Sequence, residues 1–176
     1  MSVFGIRLET PRLLLRPPQQ ADFEGYAELL GDEEAARHIG GCAPRAAAWR
    51  RFLQQPGAWA IQGFGMFSVL DKSSGQWLGQ CGPWRPEGWP GNEIGWAFRR
   101  AAWGHGYATE ATRAAIGWAV AELRWERMVH CIAPANLASQ RLAQRLGSSL
   151  LREGRLPAPF EAHAVEIWGR ELRDWP

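Results

Sequence analysis

A short glycine-containing segment near the middle of the chain has the composition of an anion-binding loop. Trp103–Ala108 reads Trp-Gly-His-Gly-Tyr-Ala and joins a predicted strand to a predicted helix. Gly104 and Gly106 allow a tight bend and a close approach of the backbone to a ligand. The free N–H groups at the start of the helix suit a phosphate or a pyrophosphate. Ordinary turns also carry two glycines, and the segment is neither a Walker A loop nor a GxGxxG dinucleotide fingerprint.

A second polar pair comes later in the chain. Asn136 and Ser139 stand at the end of the next predicted strand and the start of the helix after it. In open α/β sheets, ligands bind at the carboxyl ends of the strands. We therefore expect both residues to lie beside a ligand, although Asn136 is also well suited to cap the helix.

Hydrophobic periodicity predicts the elements that position these residues. The predicted strands are Leu13–Arg16, Met66–Leu70, Trp77–Cys81, Glu93–Phe98, Met128–Ile132, Ser148–Arg152 and Ala162–Trp168. The predicted helices cover Phe23–Leu30, Pro44–Gln55 and Ala138–Leu146, with another running from the glycine-containing loop to about Leu123. Because a helix separates Glu93–Phe98 from Met128–Ile132, these two strands are expected to be parallel. Gly82–Gly91, with three prolines, is predicted to be a loop.

Composition limits the class of protein. The chain has 176 residues, for which we expect one domain covering 1–176. A formal net charge of +2 gives no argument for binding nucleic acid or an anionic membrane. The three cysteines lack metal-ligand spacing, and no metal site is expected. Without a membrane-length apolar run or a secretory pattern at the start, the expected compartment is the cytoplasm.

Three stretches of the sequence form a recognisable set. They are Leu8–Arg16 followed by Asp22, Glu93–Trp96 followed by Trp103–Ala111, and Asn136–Gly147. Together they resemble the GNAT superfamily of acyl-CoA-dependent N-acetyltransferases, and within it the Rim-type subgroup that acetylates the N termini of ribosomal proteins. The resemblance implies an α/β GNAT fold, with a mixed sheet of about six or seven strands and about four helices. The sheet would splay between two central parallel strands.

The same resemblance implies where acetyl-CoA would bind. The pantetheine arm would pair with the backbone of Trp96, Ala97 and Phe98, and Asn136 and Ser139 would complete the site. The loop amides that would hold the pyrophosphate belong to Trp103, Gly104, His105, Gly106, Tyr107, Ala108 and Thr109.

Two positions depart from the family pattern. Trp103 stands where the general pattern has Gln or Arg, and Ser148 stands where the subgroup usually has Phe. Because backbone amides would hold the pyrophosphate, the side chain at position 103 need not affect binding. At Ser148 we expect a change of packing and no loss of chemistry.

The resemblance implies direct transfer of the acetyl group to a neutral amine. Glu93 is the candidate general base, directly or through water, because a carboxylate in an otherwise apolar tract can have a raised pKa. The alternative for Glu93 is an ordinary surface carboxylate at a strand end. A backbone N–H near Ala97 would stabilise the oxyanion. Ser139 would donate a hydrogen bond to the departing sulfur, unless it serves only the local backbone.

The acceptor is the least determined part of the prediction. Trp84 and Trp89 are the candidate substrate-binding residues, and they suit an acceptor with an apolar part. A protein N terminus is favoured, with a polyamine, an amino acid or an aminoglycoside as alternatives. A CoA-binding regulatory module without turnover is another alternative, and a homodimer is possible. Arg141 and Arg145 either contact CoA or lie on a solvated helix face.

Overall fold

A computed structural model describes residues 3–162 and 164–175 of the chain. It contains an 8-stranded mixed sheet with the order β1-β2-β3-β4-β5-β6-β8-β7. The strands are β1 (Leu8–Glu9), β2 (Leu13–Arg16), β3 (Phe67–Asp71), β4 (Trp77–Trp84), β5 (Glu93–Phe98), β6 (Arg127–Ile132), β7 (Ser149–Arg155) and β8 (Ala164–Glu171). The α-helices are α1 (Phe23–Gly31), α2 (Glu33–Ala36), α3 (Arg45–Gln62), α4 (Tyr107–Leu123) and α5 (Leu137–Arg145).

The parallel neighbours β5 and β6 divide the sheet. All other neighbouring strands pair antiparallel, most of them over several residues. Between β5 and β6 the register consists of one pair, Glu93↔Val129. The Val129 N–H also donates to Asn92 O at 2.9 Å, just before β5 begins. The two strands therefore meet at their amino ends and separate toward their carboxyl ends, as the splayed-sheet prediction requires.

Helices cover both faces of the first part of the sheet. On one face, Ala111 and Ala115 of α4 pack against Leu13, Leu15 and their neighbours in β3 and β4. On the other face, the aromatic and aliphatic side chains of α1 and α3 pack around Trp77 and Ala97. The predicted apolar spacing of α1 and α4 is confirmed by this burial.

The first of the three family stretches, Leu8–Arg16 followed by Asp22, contributes a buried ion pair that links the start of α1 to the sheet. The Arg16 guanidinium donates two hydrogen bonds of 2.7 Å to the Asp22 carboxylate, and both side chains are buried. Asp22 also accepts from Ser68 Oγ at 2.7 Å and from the Gln19 N–H at 2.8 Å. These four hydrogen bonds compensate for removing the charges from water.

The second predicted helix is longer than its sequence pattern indicates. The prediction ended it at Gln55, whereas α3 continues through Pro56 to Gln62. Trp59 is completely buried, its Nε1 donates to Met66 O at 2.9 Å, and its ring packs against Phe67 and Trp118. This packing offsets the cost of about 3 kcal/mol that a proline imposes inside a helix.

Other departures from the prediction are smaller. The sheet gains the short strand β1, and the described residues include the extra one-turn helix α2. The first three residues of the predicted loop Gly82–Gly91 belong to β4, where Trp84 pairs with Glu93. The sequence pattern of the last helix predicts that Ala138, Leu142 and Leu146 face inward. Ala138 is exposed instead, and Ala143 is buried in α5 beside Leu142.

Candidate active site

A cavity of about 860 Å³ opens where β5 and β6 separate. Its walls come from these strands, β4, the turn segment between α2 and α3, the helix α3, the start of α5 and the connection from β7 to β8. It brings together seven of the predicted site residues: Trp84, Trp89, Glu93, Trp96, Ala97, Asn136 and Ser139. Phe98 and the loop Trp103–Thr109 are not among the residues that line it.

Glu93 is a buried carboxylate on the wall of this cavity. It is only 7% exposed, and its Oε1 accepts a hydrogen bond of 3.0 Å from the Cys131 N–H. Trp89 Nε1 donates to the other carboxylate oxygen. Burial raises the pKa of Glu93 to about 7, although these hydrogen bonds act in the opposite direction. The structure thus places an acid that titrates near neutral pH in the cavity, which excludes the alternative of an exposed surface carboxylate.

His130 bridges the gap between the separating strands. Its Nδ1 lies 2.6 Å from Ile94 O, and its Nε2 lies 3.0 Å from Ser148 Oγ. Because a carbonyl oxygen can only accept, Nδ1 carries the proton and Nε2 accepts from the Ser148 hydroxyl. Burial lowers the pKa of His130 to about 4, so the ring is neutral near pH 7. This hydrogen bond accounts for Ser148, which departs from the family pattern.

The backbone of β5 alternates between its two neighbours. Asn92 O and Ile94 O face β6, whereas the Arg99 N–H faces β4 and donates to Leu78 O at 2.9 Å. Alternation along a strand then directs the Trp96 N–H and C=O into the gap and those of Ala97 toward β4. The predicted oxyanion donor near Ala97 therefore needs to be moved to Trp96, because the amide of Ala97 faces away from the gap.

The glycine-containing loop leads directly into α4. Gly104 and Gly106 both have φ of +78°, a conformation that favours glycine. No atom comes within 4 Å of a Cβ built on Gly104, so the loop is open on that side. Since α4 begins at Tyr107, the N–H groups of its first turn have no partner within the helix. The loop therefore presents a free set of backbone donors, as the sequence predicts.

Residues 12–149, more than half of the chain, match the family described as "Acetyltransferase (GNAT) domain". The chain belongs to the GNAT acetyltransferase family. It is 40% identical to an uncharacterized protein of Bacillus subtilis (strain 168), YkkB, over 148 residues that cover 80% of this chain and 84% of the relative. GNAT membership makes it an acyltransferase.

Solved structures agree with this assignment. An acetyltransferase from Agrobacterium tumefaciens str. C58 superposes with a TM-score of 0.81 at 27% identity, covering 94% of each chain. A RimL ribosomal L7/L12 alpha-N-protein acetyltransferase in complex with coenzyme A superposes with a TM-score of 0.75 at 15% identity, covering 94% of this chain and 98% of that one. The second likeness shows the fold alone. The predicted GNAT fold is confirmed, and it is a fold that Rim-type proteins share.

GNAT proteins bind acetyl-CoA, and the chain's own residues fit this molecule in two places. The open loop at the start of α4 offers backbone donors to a diphosphate. The gap-facing C=O of Trp96 offers a strand-like acceptor to an amide-containing arm, while its N–H is kept for the oxyanion. Phe98 O has a different partner, because it accepts from Trp103 Nε1 at 2.9 Å. The Trp103 indole thus binds the last backbone carbonyl of β5, and its ring is half exposed beside the loop.

Asn136 and Ser139 form the start of α5. Asn136 Oδ1 accepts from the Ser139 N–H at 3.2 Å, so the alternative that Asn136 caps the helix is confirmed. Ser139 Oγ accepts from Trp96 Nε1 at 3.1 Å. A serine hydroxyl that accepts one hydrogen bond retains its proton for donation. Ser139 can therefore donate into the cavity while Trp96 fixes its position.

The sequence analysis missed the residues that support the loop and those that line the far side of the cavity. The Arg12 guanidinium donates to His105 O at 2.9 Å and to Glu110 Oε2 at 2.7 Å, which holds the loop against α4. Arg51 and Gln55 of α3 line the cavity opposite the sheet. Their spacing of one helical turn was the available signal, but it does not reveal which surface the helix covers. Among the described residues, none of the helices has the length and apolarity of a membrane span.

Proposed function

We propose that this GNAT enzyme transfers the acetyl group of acetyl-CoA to an α-amine, with a protein N terminus as the favoured acceptor. The observation that carries the proposal is the position of Glu93, a buried carboxylate with a pKa of about 7 on the wall of the cavity. The RimL neighbour, whose printed name is that of an alpha-N-protein acetyltransferase, supports the choice of acceptor.

The pKa of Glu93 suits an α-amine better than a lysine side chain. An α-amine with a pKa of roughly 8 is already about one-tenth neutral at pH 7, whereas a lysine at about 10.4 has almost no neutral form. A base with a pKa near 7 is therefore sufficient to remove the proton from an α-ammonium group, directly or through a water molecule. The hydrogen bonds from the Cys131 N–H and Trp89 Nε1 fix the orientation of the Glu93 carboxylate.

Other groups at the site would bind acetyl-CoA and the acceptor and stabilise the charges that develop during transfer. When bound, acetyl-CoA supplies the acetyl group as a thioester. The Trp96 N–H faces the gap and would donate to the carbonyl oxygen on which negative charge develops. The Ser139 hydroxyl would donate to the departing sulfur. The loop Trp103–Thr109 would hold the diphosphate through its backbone, and Trp84 and Trp89 would contact the acceptor.

Thiol release from acetyl-CoA tests this proposal. The acceptor panel contains peptides that begin with Ala or Ser, the same peptides with a blocked N terminus and one lysine, spermidine and an aminoglycoside. We expect release above the no-acceptor control only with free α-amines. Release with the blocked lysine peptide, and none with free N termini, would contradict the α-amine assignment while leaving GNAT membership intact.

A further inference from the structure

The side of the cavity that faces away from the acetyl-CoA loop is rich in basic side chains. Arg37 and Arg51 line it, together with His38. Among the described lining residues, Glu93 is the single acidic one. A polycationic acceptor would meet repulsion here, whereas an acceptor with a negative group would be attracted.

These two arginines differ from others on the same side of the molecule. Arg45 pairs with Glu24, Arg99 pairs with Glu28, and Arg100 pairs with Asp32. Within the described residues, neither Arg37 nor Arg51 has a carboxylate within ion-pair distance.

Arg51 is held in place but keeps donors free. Its two terminal nitrogens donate to Gly41 O and Gly40 O, each at 3.3 Å. A guanidinium has five N–H groups, so these two long hydrogen bonds leave others for a ligand. Its side chain is half-buried, which favours an ionic partner over water.

Gln55 gives an independent sign of a ligand. It is only 6% exposed, it lines the cavity, and its Oε1 has no hydrogen-bond partner among the described residues. A buried acceptor without a partner is unfavourable, and an N–H of a ligand would satisfy it. Gln55 lies one helical turn after Arg51, so the two side chains are neighbours on the same face of α3.

We propose that the acceptor carries a carboxylate close to its reactive amine, bound by Arg51 with support from Arg37, and an N–H that donates to Gln55. This inference rests on the acetyl-transfer function proposed above and narrows its acceptor. The carboxylate has two sources: the α-carboxylate of a free amino acid, or an acidic side chain at the second position of a peptide. Polyamines and aminoglycosides are disfavoured by the same charges.

Two matched pairs of acceptors test the proposal. Alanine is compared with alaninamide, and the peptide Ala-Asp-Gly-Gly-amide with Ala-Asn-Gly-Gly-amide, by kcat/KM in the thiol-release assay. We expect the carboxylate member of one pair to be used at least tenfold better, mainly through KM, and that pair identifies the source. Equal use within both pairs would overturn the carboxylate proposal without touching acetyl transfer.

The Arg51→Gln variant separates recognition from a structural role. It should remove the preference within the responsive pair by raising KM for the carboxylate member far more than KM for the neutral member. Arg37→Gln, which disturbs no described hydrogen bond, should weaken the preference in the same direction. Arg50→Gln is the matched control, because Arg50 is exposed on the same turn of α3 and does not line the cavity. An equal loss of kcat/KM with both members of the pair after Arg51→Gln would indicate a structural role and overturn the assignment.

Equilibrium binding decides the case even if none of the four acceptors supports transfer. The products of both acceptor pairs are titrated by calorimetry into the protein with saturating CoA: N-acetylalanine against N-acetylalaninamide, and the N-acetylated Asp peptide against the N-acetylated Asn peptide. We expect the carboxylate member of one pair to bind at least tenfold more tightly in the wild type and equally in Arg51→Gln. Equal binding within both pairs in the wild type would overturn the proposal, whereas absent transfer with retained carboxylate binding would instead count against the α-amine function.

Discussion

The two halves of the candidate site would recognise their ligands by different means. The donor half, defined here as the gap-facing backbone of Trp96 with the loop Trp103–Thr109, offers main-chain groups. The acceptor half, defined as Glu93 with Trp89, Arg51 and Gln55, offers side chains that come from α3, from the loop after β4 and from β5. Recognition by main chain depends on backbone conformation, whereas recognition by side chain depends on residue identity.

This contrast explains where the chain tolerates departures from its family. Trp103 stands where the family pattern has a polar residue in the donor half. Its side chain donates a hydrogen bond to Phe98 O, the last carbonyl of β5, and leaves the backbone amides of the loop unchanged. Changes in the acceptor half would alter charge and hydrogen bonding directly. Substitutions in the donor half should therefore weaken CoA binding mainly when they change the backbone conformation.

The largest effect is expected from Glu93→Gln in the acceptor half. Loss of the general base should lower kcat between about 100- and 1,000-fold, while the Kd of acetyl-CoA stays within about twofold. Steady-state thiol release and calorimetry measure the two quantities. Glu87→Gln, at an exposed position in the same connection between β4 and β5, is the control and should keep full activity. Unchanged kcat in Glu93→Gln would remove this residue from the mechanism.

Burial of Glu93 also predicts how stability depends on pH. Its pKa is raised from 4.5 to about 7 by burial, so the unfolded chain ionises first as the pH rises. The contribution of the neutral acid is complete below pH 4.5 and is lost between pH 4.5 and about 7. The expected fall in the free energy of unfolding from Glu93 alone is roughly 3 kcal/mol. His130, whose pKa burial lowers from 6.5 to about 4, opposes it with a rise in stability over that range, so the Glu93 contribution is read from the difference between the wild type and Glu93→Gln.

Urea unfolding at a series of pH values measures this fall. The Glu93→Gln variant should lack it, so its stability relative to the wild type should rise across the same window. Asp71, whose pKa is lowered to about 2 chiefly by the Ser73 hydroxyl, affects stability only at lower pH and does not interfere. A constant difference in stability between the wild type and Glu93→Gln from pH 4.5 to 7 would show that the buried carboxylate is ionised throughout.

A smaller effect is expected from Gly106→Ala in the donor half. The φ of +78° at this residue costs an alanine about 1–2 kcal/mol, which corresponds to roughly tenfold weaker binding of CoA. Calorimetric titration with CoA measures the change. Gly57→Ala in α3 is the matched control, because a Cβ there meets no atom within 4 Å. If Gly106→Ala binds CoA normally, the loop conformation does not govern the donor half.

The smallest effect is expected from Trp103→Ala. This side chain is 43% exposed, and the loop amides beside it do not depend on its identity. We expect KM for acetyl-CoA to change less than threefold, with a small loss of thermal stability from the missing hydrogen bond to Phe98 O. A tenfold rise in KM would show that the donor half also uses side chains, and the contrast between the halves would be lost.

Local sequence patterns predicted the elements of the donor half better than the long-range contacts of the acceptor half. β5 was predicted with its observed bounds because polar residues delimit a short apolar tract, and the loop before α4 carries its own glycines. Asn136 could be identified as a helix cap from type and position alone. Each of these features is decided within a few residues of itself.

The acceptor half depends on packing between distant segments. Pro56-Gly57 has the composition of a turn, yet the burial of Trp59 carries α3 through it. Arg51 and Gln55 reach the cavity only because this helix packs against α1. The pairing of Trp89 with Glu93 likewise requires the loop after β4 to fold back over β5. No local pattern encodes such arrangements.

The single register pair between β5 and β6 has a mechanical consequence. The strands on either side form two continuous hydrogen-bonded plates, β1 to β5 and β6 to β8, which meet along one short edge. His130, with its contacts to Ile94 and Ser148, spans the same edge a step further on. Within the sheet, the two plates are thus joined by one register pair and by side-chain hydrogen bonds of Glu93 and His130, while the core around Ile94, Ile116 and Met128 joins them from one face.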